Sequence, residues 1–320
     1  MLDVFFTVDV EIWCDGWNDL DQKFPAAFNR YVYGATVGGN YGLPYQLKVL
    51  ADHGLVATFF VEPLFSKRFG SQPLTEIVGL FEGSKQEIQL HLHTEWVDES
   101  LQPIFETQGP KRQYLFMFSL QEQVRLIALG TDLLMAAGAR EINAFRAGSF
   151  GFNTDTLRAL AKNQIRFDSS YNATLFGSQS GISPRQLVFQ PMEWAGVFEY
   201  PMTVFNNRFG GMRHAQLGAC SYAELESLLW QALENKLDSF VILSHNFELM
   251  NQSKTKADGV VVKRFNKLCD FLNKNRDSFQ TRGFNSLQPR ISSSHSNVLR
   301  SSVFQAGARF IEQAYRRTYS

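Results

Sequence analysis

The feature that most constrains this chain is a recurrence of short apolar, aromatic and β-branched runs. They fall at residues 4–10, 57–61, 87–93, 143–146, 197–202 and 240–245, with helix-periodic segments between them. Residues 45–53 put Leu47 and Leu50 on one side and stop before Gly54. Residues 119–137 open with Ser119 and Glu122, spaced as a capping box, and stop before Gly138. Asn153 is placed to cap residues 154–163, where Leu157, Leu160 and Ala161 recur at helical spacing. Residues 221–235 repeat the capping-box device with Ser221 and Glu224 and carry Leu225, Leu228 and Leu229. Strand alternating with helix predicts βαβ units and a mainly parallel sheet. The number of units fits a (β/α) barrel better than an open sheet, and no internal repeat is present.

Composition narrows the function classes. With 320 residues, 44% of them hydrophobic, the chain can bury a large core. Single α/β barrels run to ~250 residues, so one barrel can account for most of it. Lys plus Arg and Asp plus Glu both total 31, which leaves no basic field for nucleic acid. Cys14, Cys220 and Cys269 are odd in number and lack CxxC spacing, against both a disulfide framework and a thiolate zinc site. The opening MLDVFFTVDVEIW has no basic n-region and reads as a strand. No run approaches ~18 uninterrupted apolar residues. A soluble, reducing, cytoplasmic setting is the expectation.

The chain changes character near residue 288. Residues 289–296, PRISSSHS, read as a polar linker before a helix at 297–315 with Leu299, Val303, Phe310 and Ile311 facing roughly together. From Gly283 onward there are five arginines against the single acid Glu312. The expected division is a catalytic barrel at 1–288, then linker and amphipathic basic helix at 289–320. That helix is expected to pack on the barrel or on a partner subunit, with attachment to an anionic membrane surface as the second reading.

Polar residues interrupt the strands at their C-terminal ends, the face that carries the active site in (β/α) barrels. In Thr7-Val8-Asp9-Val10-Glu11, Asp9 and Glu11 share a strand face, where two carboxylates repel unless a cation or proton separates them. The plain alternative is a hydrated strand end. In the segment from Glu87 to Trp96, His91, His93 and Glu95 face one side if the extended conformation persists. Imidazole and carboxylate suit a borderline divalent ion such as zinc, and a catalytic site needs three ligands plus an open position. This is the strongest local signal. Phe145-Arg146-Ala147-Gly148-Ser149-Phe150-Gly151 offers an arginine to hold a carboxylate ionised and a tight glycine turn, without the GK[ST] ending of a phosphate loop. Asp168 ends a short apolar stretch, and the run 240–247 delivers a single histidine, His245, to the barrel mouth. Trp13, Trp17, Trp96 and Tyr171 lie near these segments and either stack on a sugar ring or line the core.

The order and content of these five segments resemble the polysaccharide-deacetylase family, the NodB-homology or carbohydrate-esterase-4-like group, over about residues 3–247. The stretch YGLPYQLKVLADHGLVATFFV is similar to the family's segment after its first motif. The resemblance implies an α/β fold, a distorted (β/α) barrel, here with a C-terminal helical extension. It implies Asp9 as catalytic base, Glu11 and His91 as metal ligands, Arg146 as the residue that orients the base, Asp168 as support for the catalytic acid, and His245 as that acid. Two departures stand out. Val10 and Glu11 replace the second aspartate and glycine of the usual first motif, and Glu95 stands where the second motif usually has its second histidine. The third ligand is therefore His93 or Glu95, and the His-x-His variant of related branches favours His93. The activity implied is metal-dependent, zinc-suited hydrolysis of the acetamide of an N-acetylated sugar or sugar-linked precursor in polysaccharide biosynthesis, at the cytoplasmic side. Alternatives are hydrolysis of a small linear or cyclic amide, or a carbohydrate-binding protein with a decayed site.

Overall fold

The computed structural model describes residues 1–106, 110–176, 180–181, 187–208, 210–291 and 298–319. Its framework is a sheet of nine strands. These are β1 (Leu2–Val10), β2 (Thr58–Val61), β3 (Glu87–Leu92), β4 (Ala144–Ala147), β5 (Phe167–Asp168), β6 (Met192–Trp194) and β7 (Val197–Glu199), then two from later in the chain. After β8 (Val204–Asn206) and β9 (Met212–His214), which lie outside this sheet, come β10 (Ser239–His245) and β11 (Phe279–Thr281). The order across the sheet is β6-β7-β5-β4-β3-β2-β1-β10. Every pairing is parallel except β6 with β7. β10 takes one edge of β1 from Asp3 to Asp9, so β2 and β11 divide the other, at Thr7–Val10 and Leu2–Val4.

The expected barrel is present in distorted, open form. β1 and β5 are four strands apart, about 19 Å if the sheet were flat at ~4.8 Å per strand. Yet the Phe284 ring lies 5.1 Å from that of Phe5 on β1 and 5.5 Å from that of Phe167 on β5. One ring can touch both only because the sheet curls around it. Phe60, Tyr200, Met202 and Val241 fill the same interior. All nine residues of β1 are buried, as a central parallel strand covered on both faces requires.

The helices follow the punctuation of the sequence. Those of eight or more residues are α1 (Leu20–Phe28), α2 (Leu43–Asp52), α3 (Gln72–Gly79), α4 (Leu120–Ala136), α5 (Thr154–Lys162), α6 (Tyr222–Glu234), α7 (Gly259–Lys274) and α8 (Val303–Tyr319). Both predicted Ser/Glu capping boxes form, at Ser119–Glu122 and Ser221–Glu224, and Asn153 caps α5 through the Thr156 amide. α2 starts two residues ahead of the expected position, with a proline in its first turn.

The C-terminal segment differs from its sequence reading. Of the expected linker at 289–296, residues 292–296 lie outside the described residues. The expected helix at 297–315 begins later, because Leu299–Arg300 forms strand β12 beside β8. Ser302 and Gln305 then cap α8 reciprocally, amide to side chain in both directions. α8 docks on the barrel, but through polar residues: Arg309 pairs with Glu224 on α6, both buried. Leu299 is buried while Val303, Phe310 and Ile311 are exposed, so the four do not share a face.

A candidate metal centre with flanking proton-transfer groups

The parallel register delivers the polar residues to one end of the sheet. Asp9 on β1 is opposite His245 on β10, and His91 on β3 is opposite Arg146 on β4. Glu11 follows β1 directly, and its backbone is bracketed by Asn246. The Asn246 amide side chain accepts from the Glu11 N–H at 3.1 Å and donates to the Glu11 carbonyl at 3.1 Å. Gln46 of α2 donates to the carbonyls of His245 and Asn246, tying this turn to the helix layer. Asn246 and Gln46 did not stand out in the sequence; the polar residue directly after His245 at a strand end was the available signal for the first.

Glu11, His91 and His93 form one buried donor set whose ligand atoms all lie within 4.8 Å of one another. Glu11 Oε1 is 3.2 Å from His91 Nε2 and 2.8 Å from His93 Nε2. Each imidazole is oriented through its other nitrogen. His91 Nδ1 meets the Arg146 carbonyl at 2.8 Å, and His93 Nδ1 meets Glu95 Oε2 at 3.3 Å. A histidine tied by Nδ1 to an acceptor presents the Nε2 lone pair, the arrangement metal-ligating histidines adopt. Glu11 Oε2 accepts from the Trp13 indole at 2.7 Å. The donor set fits a divalent ion of zinc's type, with two imidazoles and one carboxylate.

This geometry separates the two candidates for the third ligand. The extended conformation does not persist to Glu95, because residues Thr94–Glu99 turn into a 3-10 helix. Glu95 consequently sits behind His93 instead of beside it. Burial disfavours a charged Glu11, but the His93 charge and the ring N–H groups outweigh it and hold the carboxyl well below its ordinary range. Burial likewise disfavours a charged His93, and the carboxylates of Glu11 and Glu95 overcome that and raise it well above the usual histidine value.

Two groups that move protons in hydrolases flank the donor set. Asp9 Oδ1 accepts from Arg146 Nη1 at 2.6 Å. Arg146 is completely buried and uses its other guanidinium nitrogens on Ser169, Nε to the carbonyl and Nη2 to the hydroxyl, both at 3.0 Å. Its plane lies over the Phe60 ring, 4.4 Å from the centroid. Asp9 Oδ2 faces His91 at 4.0 Å, away from the arginine. His245 lies within reach of both Asp9 and Glu11. Burial lowers its affinity for a proton, but its hydrogen bond to Glu248 and the charges of Glu248, Glu11 and Asp9 raise its pKa to about 9.

The residue that holds His245 is Glu248, whose Oε2 lies 2.6 Å from Nδ1. Gln216 donates to Glu248 at 3.0 Å. This corrects the expectation for Asp168, which is not bonded to His245. Its Oδ1 accepts from Ser170 Oγ at 2.6 Å, and it shares a buried site with Glu199. Burial and the neighbouring Asp168 charge push Glu199 well above the ordinary carboxyl range, so the pair retains a proton. Glu62, also unremarked in the sequence, is buried and accepts the backbone N–H groups of His93 and Leu64. Burial pushes it up to about 8 against the lowering effect of those amides.

Among the aromatic residues the structure divides the roles. Trp96 and Tyr171 are core residues. Trp13 stands edge-on to His93, 4.7 Å between ring centres, and Trp17 packs between Trp13 and Trp96 with Lys111 Nζ 3.5 Å over its face. Gly148 is required by close approach: a Cβ there would lie 2.6 Å from the Leu92 carbonyl and 2.8 Å from the His93 ring. Ser149 and Phe150 follow at φ of 52° and 57°, so the turn lying on His93 is held in the left-handed region.

No family model matches the chain, and no curated protein matches it by sequence. Its fold matches solved structures. A "putative polysaccharide deacetylase from Mycobacterium smegmatis" superposes with a TM-score of 0.54 at 17% identity, over 92% of this chain and 95% of that one. The 4-alpha-glucanotransferase from Thermococcus litoralis gives 0.52 at 11% identity, over 99% of this chain but 46% of that one. A family 4 carbohydrate esterase from Streptomyces lividans in complex with acetate gives 0.44 at 12% identity, over 93% and 97% of the two chains. The architecture is the distorted (β/α) barrel of the polysaccharide-deacetylase type.

Proposed function

We propose that this chain removes the acetyl group from an N-acetylated sugar by metal-dependent hydrolysis of the acetamide. The observation that carries the reading is the convergence of Asp9, Glu11, His91, His93 and His245 at one end of the sheet. The fold likeness to a protein named as a polysaccharide deacetylase agrees with it. The two departures from the usual motifs leave the chemistry in place: Glu11 occupies the carboxylate position, and His93 makes Glu95 unnecessary as a ligand.

Glu11, His91 and His93 would hold the ion, with zinc the best match to the donors. A divalent ion held there would supply Lewis-acid polarisation of the acetamide carbonyl and a water of pKa ~7. Asp9 has Oδ1 committed to Arg146, so Oδ2 is the oxygen that takes the proton from the attacking water. His245, held as an imidazolium through Nδ1, has Nε2 left to protonate the departing amine. A backbone amide of the 148–151 turn completes the site as an oxyanion donor, worth ~3 kcal/mol. Trp13 and Trp17 supply a rim against which a sugar ring stacks. The substrate we favour is a sugar-linked precursor of polysaccharide biosynthesis, met at the cytoplasmic side.

The test is acetate release from a panel of N-acetylhexosamine donors and simple amides, with metal analysis of the same preparation. Acetate from the sugars, abolished by chelator and by Asp9→Asn, supports the proposal. Full activity in Asp9→Asn or His91→Ala, or turnover of simple amides alone, overturns it.

A further inference from the structure

α8 is amphipathic in the reverse sense for a docked helix. Arg309, Glu312, Gln313 and Arg316 recur on the side that meets the barrel. Arg309 bonds Glu224 and Asn207, and Arg316 bonds Asp258 and the Gly218 carbonyl at 2.5 and 2.6 Å. The one acid of the helix, Glu312, is held by Arg264 at 2.5 Å. The Arg309–Glu224 pair is buried on both sides, so it fixes the rotation of the helix: any other setting leaves a charge buried without a partner.

That setting turns the apolar side outward. Val303, Phe304, Gly307, Ile311 and Ala314 recur at helical spacing on the opposite side. Phe304 is 90% exposed and Ile311 73%, and Val303 and Tyr315 are about half exposed. Exposed large apolar side chains clustered on one helix mark an interaction surface.

What flanks this face identifies its occupant. A cavity of about 500 Å³ opens beside Tyr315 at the N-terminal end of α7, lined by Asp258, Lys263, Arg264, Lys267, Glu312 and Arg316. Its two acids are spent on Arg264 and Arg316, whereas no carboxylate pairs with Lys263 or Lys267 among the described residues. The cavity is therefore cationic. An anionic lipid surface is complementary to both parts, with acyl chains for the apolar face and head-group phosphate for the lysines. We infer that α8 and the Lys263–Lys267 cavity form a peripheral docking surface for anionic phospholipid.

The placement has a functional corollary. Arg316, at the end of α8, grips the Gly218 carbonyl, and a Cβ on Gly218 would strike the carboxylate of Glu248, which holds His245. Arg316 of α8 and Glu248, the partner of His245, thus meet at the same residue, Gly218. The docking inference itself does not depend on the deacetylase reading.

The experiment is co-sedimentation of the full chain with phosphatidylcholine vesicles and with vesicles containing phosphatidylglycerol, alongside light scattering for mass. Binding is expected with the anionic vesicles alone. Phe304→Ser with Ile311→Ser should abolish it, and Lys263→Glu with Lys267→Glu should weaken it by at least about ten-fold, both with unchanged circular dichroism. All four positions are exposed. No binding to anionic vesicles, equal binding to both vesicle types, or a dimer that Phe304→Ser with Ile311→Ser dissociates would each overturn the inference.

Discussion

Nδ1 of His245 and Oε2 of Glu248 stand 2.6 Å apart, three residues distant in sequence, and both groups are largely withdrawn from solvent. Glu248, itself kept below the usual carboxyl range against burial by His245, turns an ordinary strand-end histidine into a stable imidazolium. In Glu248→Gln, the alkaline limb of kcat/KM should move from about 9 toward ~6.5, the unperturbed histidine value. The rate at pH 8 should then fall by about ten-fold or more. The sign for stability follows. The folded pKa of His245 is raised, so its contribution is full below ~6.5 and is lost as pH rises through about 9. Melting temperature measured across that window should decline in wild type and stay flatter in the variant.

Asp168→Asn should leave the alkaline limb where it is, near 9. Asp168 is bonded to Ser170 and neighbours Glu199, with no bond to His245. A pH–rate profile in which Asp168→Asn shifts this limb as far as Glu248→Gln does would restore Asp168 as the support of the acid.

His93→Ala should abolish stoichiometric metal, because Nε2 of His93 faces the shared point. Glu95→Gln acts from behind the ring and should weaken metal binding by about 10- to 100-fold without removing the site. Competition with a chromophoric chelator reads both. Loss of stoichiometric metal in Glu95→Gln with retention in His93→Ala would exchange their roles.

Arg146→Met leaves the Asp9 carboxylate buried without its partner and should cost about 3–5 kcal/mol of stability. Adding Asp9→Asn should recover part of that loss, since no charge then remains to be paired. Denaturant unfolding of the two single variants and the double variant gives the coupling; strictly additive losses would mean the pair is not interacting as drawn.

Gly148→Ala should destabilise by about 1–3 kcal/mol through overpacking and should also weaken metal binding, because the new methyl meets the Leu92 carbonyl and the His93 ring. A variant with wild-type melting temperature and metal affinity would show that this turn has room to relax.

Much of the scaffold was legible in the chain. Apolar runs at 4–10, 57–61 and 240–245 became β1, β2 and β10 to within two residues, and both Ser/Glu boxes capped the helices they announced. These features depend on neighbours a few positions away, which sequence records directly. Asp9, Glu11, His91, His93, Arg146 and His245 stood out as polar strand ends, and the parallel register brings them to one end of the sheet. The supports did not stand out. Glu248 and Glu62 are common residue types with no periodic or motif signature, and their roles depend on which groups the fold carries to them.

The sequence on its own determined the strand–helix alternation, the capping and the polar residues that end the strands. Tertiary structure decided how they are placed: His93 against Glu11 with Glu95 behind it, Glu248 and not Asp168 against His245, and the apolar face of α8 turned outward. The physical reason is range. Propensity and periodicity act over one or two helical turns, whereas a charge buried beside Arg146, His245 or Arg309 is resolved by a partner that only the folded chain brings within bonding distance.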